Sequence, residues 1–172
     1  MFNIFLNNEI NNVIKILNNI KVKKNKNFEI LIKKSIEAIK NKKKIIFYGN
    51  GGSASDAQHL ATELTVKYKK KRHALPAISL ATDNSTITAI GNDFGFENIF
   101  SRQLEAIGVK GDVAIAITTS GNSKNLIKAA NVANKKGIYT FCFSGNGGGK
   151  LKKNIKFHII IPSKNTSQIQ VV

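Results

Sequence analysis

His59 and Glu63 stand four residues apart in His59-Leu60-Ala61-Thr62-Glu63. In a helix that spacing puts an imidazole and a carboxylate on one face. Such a pair can move protons, hold a metal, or form an ordinary surface ion pair, and the spacing alone leaves all three open. The residues before it narrow the chemistry. Gly49-Asn50-Gly51-Gly52-Ser53 permits a tight turn and close backbone approach. Ser53 and Asp56 suit the first turn of a helix, whose free N–H groups favour an anion such as phosphate. A second run, Thr118-Thr119-Ser120-Gly121-Asn122-Ser123, offers four hydroxyls and exposed backbone N–H groups. The chain carries no Gly-Lys-Ser/Thr, so a nucleoside triphosphate loop is not expected. Either run alone reads equally well as a capped turn; two of them, each after a strand, point to a phosphate.

The elements that must position these residues follow from apolar spacing. Residues 1–20 and 28–39 read as amphipathic helices, with a turn over Lys21 to Asn27. Strands are expected at Lys44 to Tyr48, Ala77 to Leu80, Val113 to Ile117, Tyr139 to Phe143 and Phe157 to Ile161. Helices are expected at Ser53 to Lys69, Asn84 to Ile90, Asn98 to Ala106 and Ser123 to Lys136. Asn92-Asp93, before Phe94-Gly95-Phe96, reads as a turn. This alternation predicts a three-layer αβα sandwich around a five-stranded parallel sheet, with ligands at the carboxyl ends of the strands.

Composition sets the outer limits. The chain has 172 residues, of which 42% are hydrophobic, which suits one globular domain. Its formal charge is +17. The basic residues are spread over several segments with no aromatic stacking platform among them, so nucleic acid is not an expected partner. The positive field suits a phosphorylated substrate. No apolar run approaches a membrane span, and residues 1–10 do not form a signal peptide, so a cytoplasmic protein is expected. The single cysteine, Cys142, reads as a small buried hydrophobe. His73 and His158 receive no role.

Taken together, Gly49-Asn50-Gly51-Gly52-Ser53, His59 to Leu64, Gly91-Asn92-Asp93-Phe94-Gly95-Phe96, Thr119 to Ser123 and Ile169-Gln170 give the chain a resemblance to the sugar isomerase (SIS) domain proteins. Among these it most closely resembles the phosphoheptose isomerases. The resemblance implies a flavodoxin-like SIS domain over 1–172. It divides into N-terminal helices (1–40), an α/β core (44–162) and the start of a shortened C-terminal helix (166–172). It implies a homotetrameric, cytoplasmic enzyme that converts sedoheptulose 7-phosphate to D-glycero-D-manno-heptose 7-phosphate. That is the first step towards ADP-heptose for lipopolysaccharide or surface glycan. By the same resemblance Asn50, Gly51, Gly52, Ser53, Glu63, Asn92, Asp93, Thr118, Thr119, Ser120, Ser123 and Gln170 would contact substrate. His59, Glu63 and Gln170 would hold a zinc ion, and Glu63 would be the catalytic base.

Two departures from the family pattern stand out. Lys67 occupies a position where many relatives carry arginine, which keeps the charge but loses the two-pronged fork. The family continues after Ile169-Gln170 into a long helix with a further histidine, a zinc ligand and candidate acid. This sequence ends at Val172, with Thr166 or Ser167 as expected caps. Weak or absent turnover and an incomplete zinc site are the expectation. The alternative reading is a non-catalytic SIS protein resembling the DnaA-initiator-associating proteins; the Glu63 carboxylate argues for the enzyme.

Overall fold

The computed structural model describes residues 2–22 and 25–172. The chain opens with two helices, α1 (Phe2–Val22) and α2 (Lys26–Lys40). The Asn25 side chain caps α2 by accepting from the Phe28 N–H at 3.3 Å. Of the turn expected over Lys21 to Asn27, residues 23–24 lie outside the described residues, while the helices reach in from both sides.

Five strands follow: β1 (Ile45–Gly49), β2 (Ala77–Ser79), β3 (Val113–Thr118), β4 (Tyr139–Ser144) and β5 (Phe157–Ile160). All pairings are parallel, in the order β2-β1-β3-β4-β5. Between them run α3 (Gly52–Thr65), α4 (Asn84–Phe94), α5 (Ser101–Ile107) and α6 (Lys124–Lys135), and α7 (Thr166–Val171) closes the chain. Every residue of β1 and β3 is buried, as a sheet covered on both faces requires. The alternation of side chains divides the core into two halves. Ile46, Tyr48, Ala114 and Cys142 pack towards α5 and α6, against Leu104, Leu126 and Ala129. Ile45, Phe47, Ile115 and Phe141 pack towards α2 and α3, against Leu31, Ala57 and Ala61. Cys142 is fully buried, and burial pushes its thiol up to about 12, so it does behave as an inert hydrophobe. One buried carboxylate pins the amino ends of β1 and β3. Asp112 accepts from the Lys44 ammonium (2.8 Å), the Lys44 N–H (3.0 Å) and the Val109 N–H (2.9 Å).

Four boundaries differ from the sequence reading. The helix expected over Ser53 to Lys69 stops at Thr65, where Val66 takes a non-helical ψ of −84° and the Lys67–Arg72 segment leaves the helix axis. The helix expected to end at Ile90 continues to Phe94, so Asn92 and Asp93 form its last turn and not a loop. A single glycine costs a helix only about 1 kcal/mol, and the Asp83 cap on the Thr86 N–H (3.0 Å), with buried Ile90, holds α4 through the half-buried Gly91. The helix expected over Asn98 to Ala106 is a 3-10 turn at Phe96–Asn98 followed by α5. Asn165, and not Thr166 or Ser167, caps α7, accepting from the Ser167 N–H at 3.0 Å.

Candidate active site

β1 and β3 are neighbours in the sheet, but the chain leaves them in opposite directions, to β2 on one side and β4 on the other. Their carboxyl ends form the crevice in which ligands of open parallel sheets bind. The glycine loop after β1 and the hydroxyl loop after β3 face each other across it. Gly49 is at the junction. A Cβ there would lie 2.7 Å from the Ser53 carbonyl oxygen and 2.8 Å from that of Ile117, so only glycine lets the start of α3 approach the end of β3. Gly51, at φ +56° and ψ −126°, takes the backbone into α3 through a conformation closed to other residues.

Between the loops lies a cavity of about 240 Å³, walled by Asn50, Gly52, Ser53, Ile117, Thr118, Thr119, Ser120, Ser123, Thr166 and Gln170. Both helices that border it lack side-chain caps: neither Gly51 at α3 nor Ser123 at α6 makes one. By contrast, α2, α4 and α7 are each capped by an Asn or Asp side chain. α5 starts at Phe100 without a side-chain cap as well, but it does not border the cavity; the uncapped amide ends of α3 and α6 do, and they can receive an anion there. The four hydroxyls divide their work. Thr118 Oγ1 accepts from the Gly121 N–H and Ser120 Oγ from the Asn122 N–H, each at 3.2 Å, which shapes the turn and leaves their own O–H groups to donate. Thr119 and Ser123 complete the lining. From behind, the Leu151 N–H donates to the Gly121 carbonyl (2.8 Å) and the Lys150 N–H to Asn122 Oδ1 (3.0 Å).

Gln170 arrives from the other end of the sequence. Its amide lies over Gly52, donates to Asp56 and is within 3.4 Å of the Ser53 hydroxyl. It separates the small cavity from an adjoining one of about 410 Å³ that runs along α3 past Asp56 to His59 and Leu60. On the helical rise, His59 lies ~9 Å and Glu63 ~15 Å along the axis from Ser53. His59 Nε2 is 3.8 Å from Glu63 Oε1, with the imidazole largely exposed and the carboxylate partly buried. Glu63 faces the groove between α2 and α3, which His59 also borders.

The structure thus gathers Asn50, Gly52, Ser53, Thr118, Thr119, Ser120, Ser123 and Gln170 around one cavity and sets the His59–Glu63 pair beyond it. Gly51 shapes the loop without lining the cavity. Asn92 and Asp93 stand apart within this chain. Both are exposed, Asn92 donates to Asp93 at 2.8 Å, and neither lines the cavities described. His59 and Glu63 are two donors where zinc takes three or four. Among the described residues no third His, Cys, Asp or Glu joins them. Gln170 spends its amide on Asp56 and Ser53, so these residues alone do not fit a zinc ion.

Two residues outside the sequence reading matter here. Asn125, buried in the first turn of α6, pairs with Asn50 through both amide groups. Its only sequence signal is a polar residue on an otherwise apolar helix face. Lys67 is exposed beyond α3. It is Arg72 whose guanidinium turns back to the Glu63 carbonyl oxygen (2.7 Å) and to that of His73 (2.8 Å).

A model of the SIS domain matches residues 10–145. The chain is 55% identical over 135 residues to the phosphoheptose isomerase of Helicobacter pylori (strain HPAG1), covering 78% of this chain and 70% of that protein. It is 52% identical over 133 residues to that of Aquifex aeolicus (strain VF5), covering 77% and 70%. Among solved structures it superposes on the phosphoheptose isomerase of Neisseria gonorrhoeae with a TM-score of 0.92 at 33% identity, over 99% of this chain and 92% of that one. On the Francisella tularensis enzyme the TM-score is 0.95 at 30% identity, over 99% and 91%.

Proposed function

The chain belongs to the SIS domain family, among its phosphoheptose isomerases, and on that premise we propose how its residues convert sedoheptulose 7-phosphate to D-glycero-D-manno-heptose 7-phosphate. One observation carries the reading: two phosphate-suited loops close on a single cavity at uncapped helix ends, and the helix that starts there carries Glu63 and His59. The phosphate sits between the loops, held by the free N–H groups of α3 and α6 and by the Thr118, Thr119, Ser120 and Ser123 hydroxyls. The sugar extends along α3 past Gln170. The separation along α3 between the loops and the His59–Glu63 pair suits a long sugar chain.

At the far end Glu63 acts as the base. Its carboxylate takes a proton from C1 of the ketose, and the electron pair moves into a C1–C2 double bond as the C2 carbonyl becomes an enediolate oxygen. Glu63 then returns its proton to C2, the C1 hydroxyl proton passes by way of His59 to the C2 oxygen, and the aldehyde forms at C1 beside a C2 hydroxyl. His59, on the same face of α3, is placed to donate to the developing oxyanion. Binding at the remote phosphate fixes the reacting carbons against Glu63. Because the residues present do not by themselves fit a zinc ion, no step of the proposal runs through one.

The proposed setting is a cytoplasmic homotetramer supplying heptose for surface glycan. The exposed Phe5, Ile10, Ile14 and Leu17 of α1 support the oligomer, since an apolar helix face of this kind suits a second copy. No helix among the described residues is long and apolar enough to cross a membrane. Nothing in the structure favours the initiator-binding alternative. The test is solvent deuterium exchange into sedoheptulose 7-phosphate, followed by NMR. Slow but measurable exchange at C1 by the unmodified chain is expected, reduced a further ~10²- to 10⁴-fold in Glu63→Gln. No exchange with the unmodified chain, or equal exchange with the variant, would overturn the reading.

A further inference from the structure

Asn50 is the one side chain with polar reach in a run of glycines, Gly49-Asn50-Gly51-Gly52. A glycine loop left to itself samples many conformations, and each one that misplaces its N–H groups weakens the cavity. One reciprocal side-chain pair ties this loop to α6. Asn50 Nδ2 donates to Asn125 Oδ1 at 3.0 Å, and Asn125 Nδ2 donates back to Asn50 Oδ1 at 2.9 Å. Asn125 is 3% exposed and sits in the rigid first turn of α6, where its Oδ1 also accepts from the Leu126 N–H at 2.9 Å. The reciprocal pair fixes which way the Asn50 amide points, since a flipped amide would set donor against donor. It also leaves Asn50 one N–H and one lone pair free for a ligand.

We propose that Asn125 is a positioning residue for the phosphosugar. It does not line the cavity; it acts through Asn50, tying the glycine loop of β1 to the hydroxyl loop of β3 so that both walls meet the ligand preformed. The inference rests on the cavity being the sugar-phosphate site.

The test is a double-mutant cycle in binding, read by calorimetry with sedoheptulose 7-phosphate as the probe, on the unmodified chain, N50A, N125A and N50A/N125A. Binding to the unmodified chain establishes the site. N125A is expected to weaken it by about tenfold, and to add less than about twofold when Asn50 is already alanine. The Asn50 side-chain NH₂ signals, protected from exchange in the unmodified chain, are expected to shift and lose protection in N125A, which a role confined to general stability does not require. Asn125→Asp keeps the shape but cannot donate, and it repeats the cycle if N125A fails to fold. Affinity unchanged in both Asn125 variants, or a full loss added on top of N50A, overturns the inference while leaving the function standing. Failure of the unmodified chain to bind overturns both.

Discussion

Gly49→Ala tests the closeness of the two loops most directly. The new methyl carbon would stand 2.7 Å from the Ser53 carbonyl oxygen and 2.8 Å from that of Ile117. Both are backbone atoms, so no side chain can swing away, and each contact must open by roughly 0.6–0.7 Å to reach ordinary separation. The first turn of α3 and the end of β3 are the parts that must move. Overpacking of this kind costs about 1–3 kcal/mol. For a chain of this size that is a fall in melting temperature of roughly 2–12 °C. The same displacement widens the cavity between Ser53 and Thr118, where misplacement by about 1 Å can cost 10²-fold in rate, so a fall in kcat/KM of about tenfold or more is expected. Gly91→Ala is the matched control. It lies in α4 with nothing within 4 Å of its Cβ position, and helix propensity predicts a gain of about 0.5–1 kcal/mol with kcat/KM unchanged. The assay is calorimetric melting alongside steady-state kinetics. A G49A protein as stable and as active as the unmodified chain would refute the packing argument.

Further outcomes follow from buried polar groups. Asp112→Ala removes three hydrogen bonds from a carboxylate that is fully buried, and is expected to destabilise by about 3 kcal/mol in urea denaturation, and Lys44→Ala, which leaves that buried carboxylate without its counter-ion, is expected to cost a similar amount. His158 is buried on β5 with neither ring nitrogen hydrogen-bonded to a side chain, and burial, with Lys152 nearby, holds its pKa below the ordinary 6.5. The folded state then binds fewer protons than the unfolded one below that pH. Its contribution is present above about pH 6.5 and lost as pH falls towards the folded value, so melting temperature is expected to fall between pH 7.5 and 5.5. His158→Leu is expected to flatten that slope; an unchanged slope counts against the assignment.

Most of the architecture could be read from local pattern. The five strands, the two opening helices and the helices after β1 and β3 follow from apolar spacing, because a buried strand and an amphipathic helix each carry their period in the chain itself. Ends were less legible. The Lys67–Arg72 run hid the stop of α3 at Thr65, because charged residues suit a helix surface as well as a loop. Gly91-Asn92-Asp93 mimicked a turn, because the cap at Asp83 and the packing of Ile90 outweigh one glycine.

What the sequence determined by itself was the kind of chemistry: glycines for close approach, hydroxyls and helix ends for phosphate, a carboxylate and an imidazole one turn apart. Those are properties of residue type and short spacing. Which of these groups share a cavity was decided only by the tertiary structure. The strand order sets β1 beside β3, and that adjacency brings Asn50 to Asn125 and lays Gln170 across Gly52 and Ser53, contacts that span 75 and 117 residues. It leaves Asn92 and Asp93 outside the same cavity. Contacts over such separations depend on how the sheet is ordered and closed, and no local periodicity records that order.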